Sequence, residues 1–181
     1  MMKTRLPPLV GEIKDGNVIL RKIEDNDYKT LGDVLNLHLI IEDYMDKFIQ
    51  INCSKLDWAS ARLRFIDKIR LLSKYPNGEK NILTPTLYKF NDLRNKFSHK
   101  INYKLTDEDV EPFTLFLSKF IKKGEAIPTN KIEILSDYTS LVCFWLAQVL
   151  ELTVKNNWAK RRGKAIMKGL KEGLGITDRT L

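Results

Sequence analysis

From about residue 24 onward, apolar residues recur at three- and four-residue spacings, the signature of helices packed by one face. Only the first 23 residues lack it. There EIKDGNVIL alternates around Asp15-Gly16, a pair that favours a two-residue hairpin turn. Asp25 or Asp27 is placed to cap a long first helix reaching about Cys53. Its apolar stripe is Leu31, Val34, Leu35, Ile41, Met45 and Phe48. A second helix is expected from about Asp57 to Ser73, followed by a loop with Pro76 and Gly78. Thr84-Pro85 reads as an N-cap and first helical residue of a third helix. Acids at Asp107, Glu108 and Asp109 suit the first turn of a fourth helix ending near Gly124. Pro128, Thr129 and Asn130 start a fifth, about Lys131 to Val154, and a basic tail helix follows from about Trp158 to Lys171, ending near Gly173 and Gly175. The pattern predicts an all-α, up-down bundle of five to six helices with a small N-terminal β-hairpin. It divides the chain into an arm or hairpin (1–23), a helical domain (24–154) and a basic C-terminal helix (155–181).

Within the third helix, Leu83, Leu87, Phe90, Phe97 and Ile101 form one apolar stripe. At about 100° per residue, Arg94 falls inside that stripe and His99 nearly opposite it. Asn91 and Asn95 lie between. Arginine cannot discharge itself, so a core-facing Arg94 calls for an anionic partner. On the first helix His38 and Glu42, four residues apart, share the apolar stripe. Packing the two stripes together predicts a polar cluster of His38, Glu42 and Arg94, with a Glu42–Arg94 ion pair. His38 is expected to be a satisfied core histidine, and Asp43 and Asp46 to be solvated. His99 points away from its own core, toward solvent or a second subunit.

Composition narrows the classes. A net charge of +8 on 181 residues and a pI near 9.4 favour an anionic partner. The tail concentrates that charge in Lys160, Arg161, Arg162, Lys164 and Lys168, with Trp158, Ile166, Met167 and Leu170 as its apolar component. It suits a solvated basic face, an RNA phosphate track or a docking surface for an acidic protein. The most apolar run, SLVCFWLAQVL, is too short to span a bilayer and suits a helix buried centrally or shared across a dimer interface. The N-terminus has neither a long apolar core nor a small-residue cleavage site, so a signal peptide is not expected. Cys53 and Cys143 read as buried free thiols in a reducing cytoplasm. Two cysteines and two histidines show no ligand spacing, and neither metal nor cofactor is expected.

LHLIIEDYMDKF, then a second helix, then FNDLRNKFSH resembles the HEPN superfamily, small all-helical proteins with an Arg-polar-x-x-x-His motif late in a helix. The likeness covers roughly Leu31 to Phe120. It implies a metal-independent endoribonuclease, often the toxin of a toxin–antitoxin or phage-defence system, working as a homodimer with its two motifs facing one cleft. It implies that Arg94 binds the scissile phosphate, His99 moves protons and Asn95 orients one of them. Independently of any family, RNA carries its own nucleophile in the 2′-hydroxyl. Histidine ordinarily titrates closest to neutrality, which suits proton transfer. A guanidinium fork matches phosphate oxygens. The chain is also similar to mannitol-operon repressor-like helical proteins through the same Leu-Arg-Asn-x-Phe-x-His string. That likeness implies a non-catalytic transcriptional regulator or partner-binding protein.

Overall fold

A computed structural model describes residues 9–21, 27–52, 58, 60–74, 80–100, 103–121 and 126–173. The described residues form an all-α bundle of five helices with a two-stranded hairpin toward the N-terminus. Strands β1 (Leu9–Lys14) and β2 (Asn17–Arg21) pair antiparallel. Asp15 and Gly16 both take positive φ, 50° and 78°, the two left-handed residues of a type I′ turn. The five helices are α1 (Tyr28–Asn52), α2 (Phe65–Ser73), α3 (Lys80–His99), α4 (Asp107–Leu117) and α5 (Lys131–Gly173).

Of the two candidate caps for α1, Asp27 accepts a hydrogen bond from the Thr30 amide at 3.0 Å, while Asp25 lies outside the described residues. α1 buries Val34, His38, Ile41, Met45, Phe48 and Ile49. It packs along α5, whose Leu135, Tyr138, Val142 and Leu146 reach the same core. α3 contributes Leu83, Leu87, Phe90, Leu93 and Phe97, and α4 contributes Val110, Phe113, Phe116 and Leu117. Ile101, expected on the α3 stripe, lies outside the described residues, as does Cys53, while Cys143 is a buried free thiol.

Four sequence-based boundaries shift. α2 starts at Phe65 rather than near Asp57, because Arg62 is left-handed (φ 43°) and Arg64 extended, which no helix passes through. α3 starts at Lys80, so Pro85 sits inside it rather than at its first position. Burial of Leu83 and Leu87 on either side of the proline keeps the helix going despite the missing amide donor. α4 ends at Leu117 in a turn over 118–120, short of Gly124, which lies outside the described residues. α5 absorbs the separate tail helix and runs 43 residues without a break. Nothing between Val154 and Trp158 is a helix breaker, so separation had only a change in polarity to recommend it. Gly175, the other expected stop, lies outside the described residues. Within SLVCFWLAQVL the helix buries Val142, Cys143 and Leu146 but leaves Phe144 exposed, so it is not buried on all sides. No helix among the described residues is long and apolar enough to cross a membrane.

The start of α4 is fastened by a capping box. The Asp109 amide donates to Thr106 Oγ1, and Asp109 accepts the Thr106 amide at 3.0 Å. Asp109 also accepts Lys96 Nζ at 2.7 Å and Tyr103 Oη at 2.6 Å. Burial alone would raise its pKa, but bonds from Lys96, Tyr103 and Thr106 outweigh it and hold it at about 2. A depressed carboxyl pKa stabilises fully above the unfolded value near 4 and loses that contribution as pH falls toward 2. Asp109→Asn is therefore expected to lower stability by about 2 kcal/mol at neutral pH and to flatten the acid limb between about pH 4 and 2. Chemical denaturation at several pH values reads both, and an acid limb identical to wild type rules the assignment out.

Candidate functional site

α3 brings the motif residues to two different places. Arg94 lies one turn beyond Phe90, at the edge of the buried stripe, and is half-buried. Its guanidinium donates to Asn95 Oδ1 at 3.2 Å. Arg94, Asn91 and Asn95 form one wall of a cleft of about 430 Å³. α1 supplies His38 and Glu42 on another wall, and Arg64, Phe65 and Ile66 close it from the start of α2. His99 is the last residue of α3, is exposed, and does not line that cleft. One chain therefore gathers Arg94, Asn95, His38 and Glu42 and leaves His99 outside.

The expected Glu42–Arg94 ion pair does not form. Lys68 of α2, itself buried, reaches across to Glu42 at 2.7 Å and to Asp46 at 2.8 Å. Burial works against the Lys68 ammonium, but the hydrogen bonds it donates to Asp46 and Glu42 more than compensate, and its pKa lies above the ordinary lysine value. Asp46, 41% exposed, is therefore paired with Lys68 as well as open to solvent, and exposed Asp43 binds Lys47. The signal missed in the sequence was Lys68, buried on the same face of α2 as Phe65, Ile69 and Leu72. With Glu42 committed to Lys68, no carboxylate among the described residues lies within ion-pair distance of Arg94. Half-exposure replaces the anionic partner that full burial would have demanded.

His38 is buried as expected but is not satisfied. Its Nδ1 stands 3.9 Å from Glu42 Oε2, and its Nε2 has no hydrogen-bond partner among the described residues. Its ring lies between Phe65 (centroids 4.0 Å apart) and Phe90 (6.2 Å, nearly parallel). Desolvation lowers its pKa to about 4, helped by the Arg94 and Lys68 cations and opposed by Glu42, so the imidazole is neutral at pH 7.

The basic residues lie on the far half of α5. Lys160, Arg161, Arg162 and Lys164 are exposed, and Lys168 falls on the same helix. The Arg162 guanidinium sits 5.1 Å above the ring of Trp158, which is itself exposed. No family model matches this chain, and no curated protein or solved structure shows significant similarity to it.

Proposed function

We propose that this chain is a metal-independent endoribonuclease of the HEPN kind, acting in the cytoplasm as a homodimer. The observation that supports it best is an arginine unpaired with any described carboxylate and lining a cleft, on the same helix as an exposed histidine. Arg94 and Asn95 of one copy hold the scissile phosphate, and His99 of the other reaches the same phosphodiester. The 2′-oxygen attacks phosphorus, the bond to the 5′-oxygen breaks, and the 2′-hydroxyl proton ends on the departing 5′-oxygen, with imidazole carrying protons. The guanidinium offsets the charge that gathers on the phosphorane oxygens. The basic half of α5 draws the RNA in through its phosphates. A toxin of this sort needs an antitoxin protein, and an acidic one fits that same helix.

A second reading rests on the placement of His99 outside the Arg94 cleft in one copy. It makes the motif structural and the protein a regulator resembling mannitol-operon repressors. Incubating the purified protein with total RNA in EDTA, beside His99→Ala, separates the two. Discrete fragments with 5′-hydroxyl ends are expected from the wild type and none from the variant. RNA left intact by an excess of folded wild type rejects the nuclease and leaves the regulator.

A further inference from the structure

Among the described residues, Leu146 is the last of α5 buried in the core, and Val149 and Leu150 are the last that pack against it. The helix then runs on alone. From Leu152 to Lys164 every side chain is exposed except Thr153, which is half-buried. Successive residues turn about 100°, so this stretch is open to solvent on every side. Every charged residue between Leu152 and Lys171 is a lysine or an arginine. A rod of this kind attracts any polyanion, but charge alone gives no reason for Trp158. The Trp158 ring is 60% exposed and carries the Arg162 guanidinium 5.1 Å above it. By helical rotation Arg162 lies about 40° and Arg161 about 60° from Trp158, on either side of it. Glu151, two turns back on the same face, is paired with Lys155 at 2.6 Å and adds no net charge.

The other exposed apolar side chains do not extend Trp158 into a stripe. Val154 lies about 40° from it, but Leu152 lies about 120° away and Met167 on the opposite side. A membrane surface or the apolar groove of a partner protein needs a one-sided stripe, which the described side chains of this half do not form. A single nucleic-acid strand needs cations for its phosphates and a flat ring for an unpaired base, and both are present. A duplex offers the phosphates, but its bases are already stacked on one another. We infer that the distal half of α5 binds single-stranded polynucleotide, with a base stacked on Trp158 and the adjoining phosphates on Arg161 and Arg162. This deepens the RNA reading above and rests on it for RNA as the natural strand. It concerns holding the strand, not cutting it.

Oligothymidine of about twelve nucleotides, within the usual range of single-strand sites, is the probe. It lacks the 2′-hydroxyl and so cannot be cut by attack of that group. Its affinity for the full chain, read by fluorescence anisotropy, is compared with those of an abasic strand of equal length and of its duplex with oligodeoxyadenosine. The unpaired strand is expected to bind about tenfold tighter than either. Trp158→Ala is expected to remove that margin and leave the other two probes unchanged, while Trp158→Phe keeps most of it. Trp158 is exposed, so both variants are expected to fold. Arg161→Gln should weaken all three probes and lower the salt dependence by about one charge. No preference for the unpaired strand, or a Trp158→Ala variant of wild-type affinity, overturns the inference. So does polyglutamate or a phosphatidylserine vesicle whose binding falls as far in Trp158→Ala as the strand's, since the helix is then a dock for an acidic protein or a membrane. Cleavage enters none of these readings. A chain that holds the strand and leaves RNA intact keeps this site and loses the nuclease. One that cuts RNA while Trp158→Ala holds oligothymidine as well as wild type does the reverse.

Discussion

Mixing the Arg94→Ala and His99→Ala variants is expected to restore RNA cleavage to about a quarter of the wild-type rate, although each alone loses at least about a hundredfold. The reason lies in α3. A regular helix turns about 100° per residue, so positions five apart point in different directions. Arg94 faces the cleft between α1, α2 and α3, while His99 is exposed at the helix end and outside that cleft. The proposed two-fold dimer instead brings Arg94 of one copy and His99 of the other to one phosphodiester. In such a dimer each site takes Arg94 from one copy and His99 from the other. A mixed dimer of the two variants has one site with both changes and one with neither. Random exchange makes half the dimers mixed, and each has half its sites intact, which gives about a quarter of full activity. If both groups came from the same copy, no mixture would recover anything. Equal parts of the two variants, exchanged under mild denaturant and assayed on RNA, give the answer. Activity no higher than that of the separate variants excludes the composite site.

The sequence carried the local features of this molecule well and the non-local ones poorly. The Asp15-Gly16 turn, the Asp27 cap and the acidic start of α4 are set by neighbours two or three residues away, and each appears where the pattern placed it. Helical arithmetic also placed His99 away from the buried stripe, but it put Arg94 inside that stripe, whereas Arg94 is half-buried at its edge and lines a cleft. What could not be read was which helix brings a counter-charge to Glu42. The stripes placed Glu42 and Arg94 on facing helices, but a third helix stands between them in effect, and its long Lys68 side chain reaches Glu42 and Asp46 together. Competition among three helices depends on their packing, which periodicity does not encode. The orphaned His38 Nε2 is a similar case. A histidine on an apolar stripe looks the same in sequence whether its outer nitrogen has a partner or not. Pro85 and the junction near Val154 show the opposite failure, where local signals for a start or a stop yielded to continuous burial or to simple helix propensity.

The largest stability effect is expected where the core and the cleft share a residue. Phe90 is fully buried, with Phe113 edge-on at 5.6 Å, Tyr138 at 5.7 Å and His38 stacked at 6.2 Å. Phe90→Ala removes a ring from among side chains of three other helices, α1, α4 and α5. Rings of that size have little freedom to collapse into the space, so the loss should reach about 3–5 kcal/mol. For a chain of this length that corresponds to a fall in melting temperature on the order of 10 °C. Phe144 provides the control, because it is 62% exposed on α5, and Phe144→Ala should change stability by no more than about 0.5 kcal/mol. The consequence for the cleft is separate from the loss of fold. Arg94 follows Phe90 by one helical turn, and His38 rests against the Phe90 ring, so a repacked core releases both walls at once. A conservative Phe90→Leu change should then cost less stability but still loosen His38, visible as a shift in its ring resonances. Circular-dichroism melts of the three variants read the ranking directly. A Phe90→Ala melt within about 2 °C of wild type, or below the effect of Phe144→Ala, would mean that α3 does not pack its aromatic face against α4 and α5.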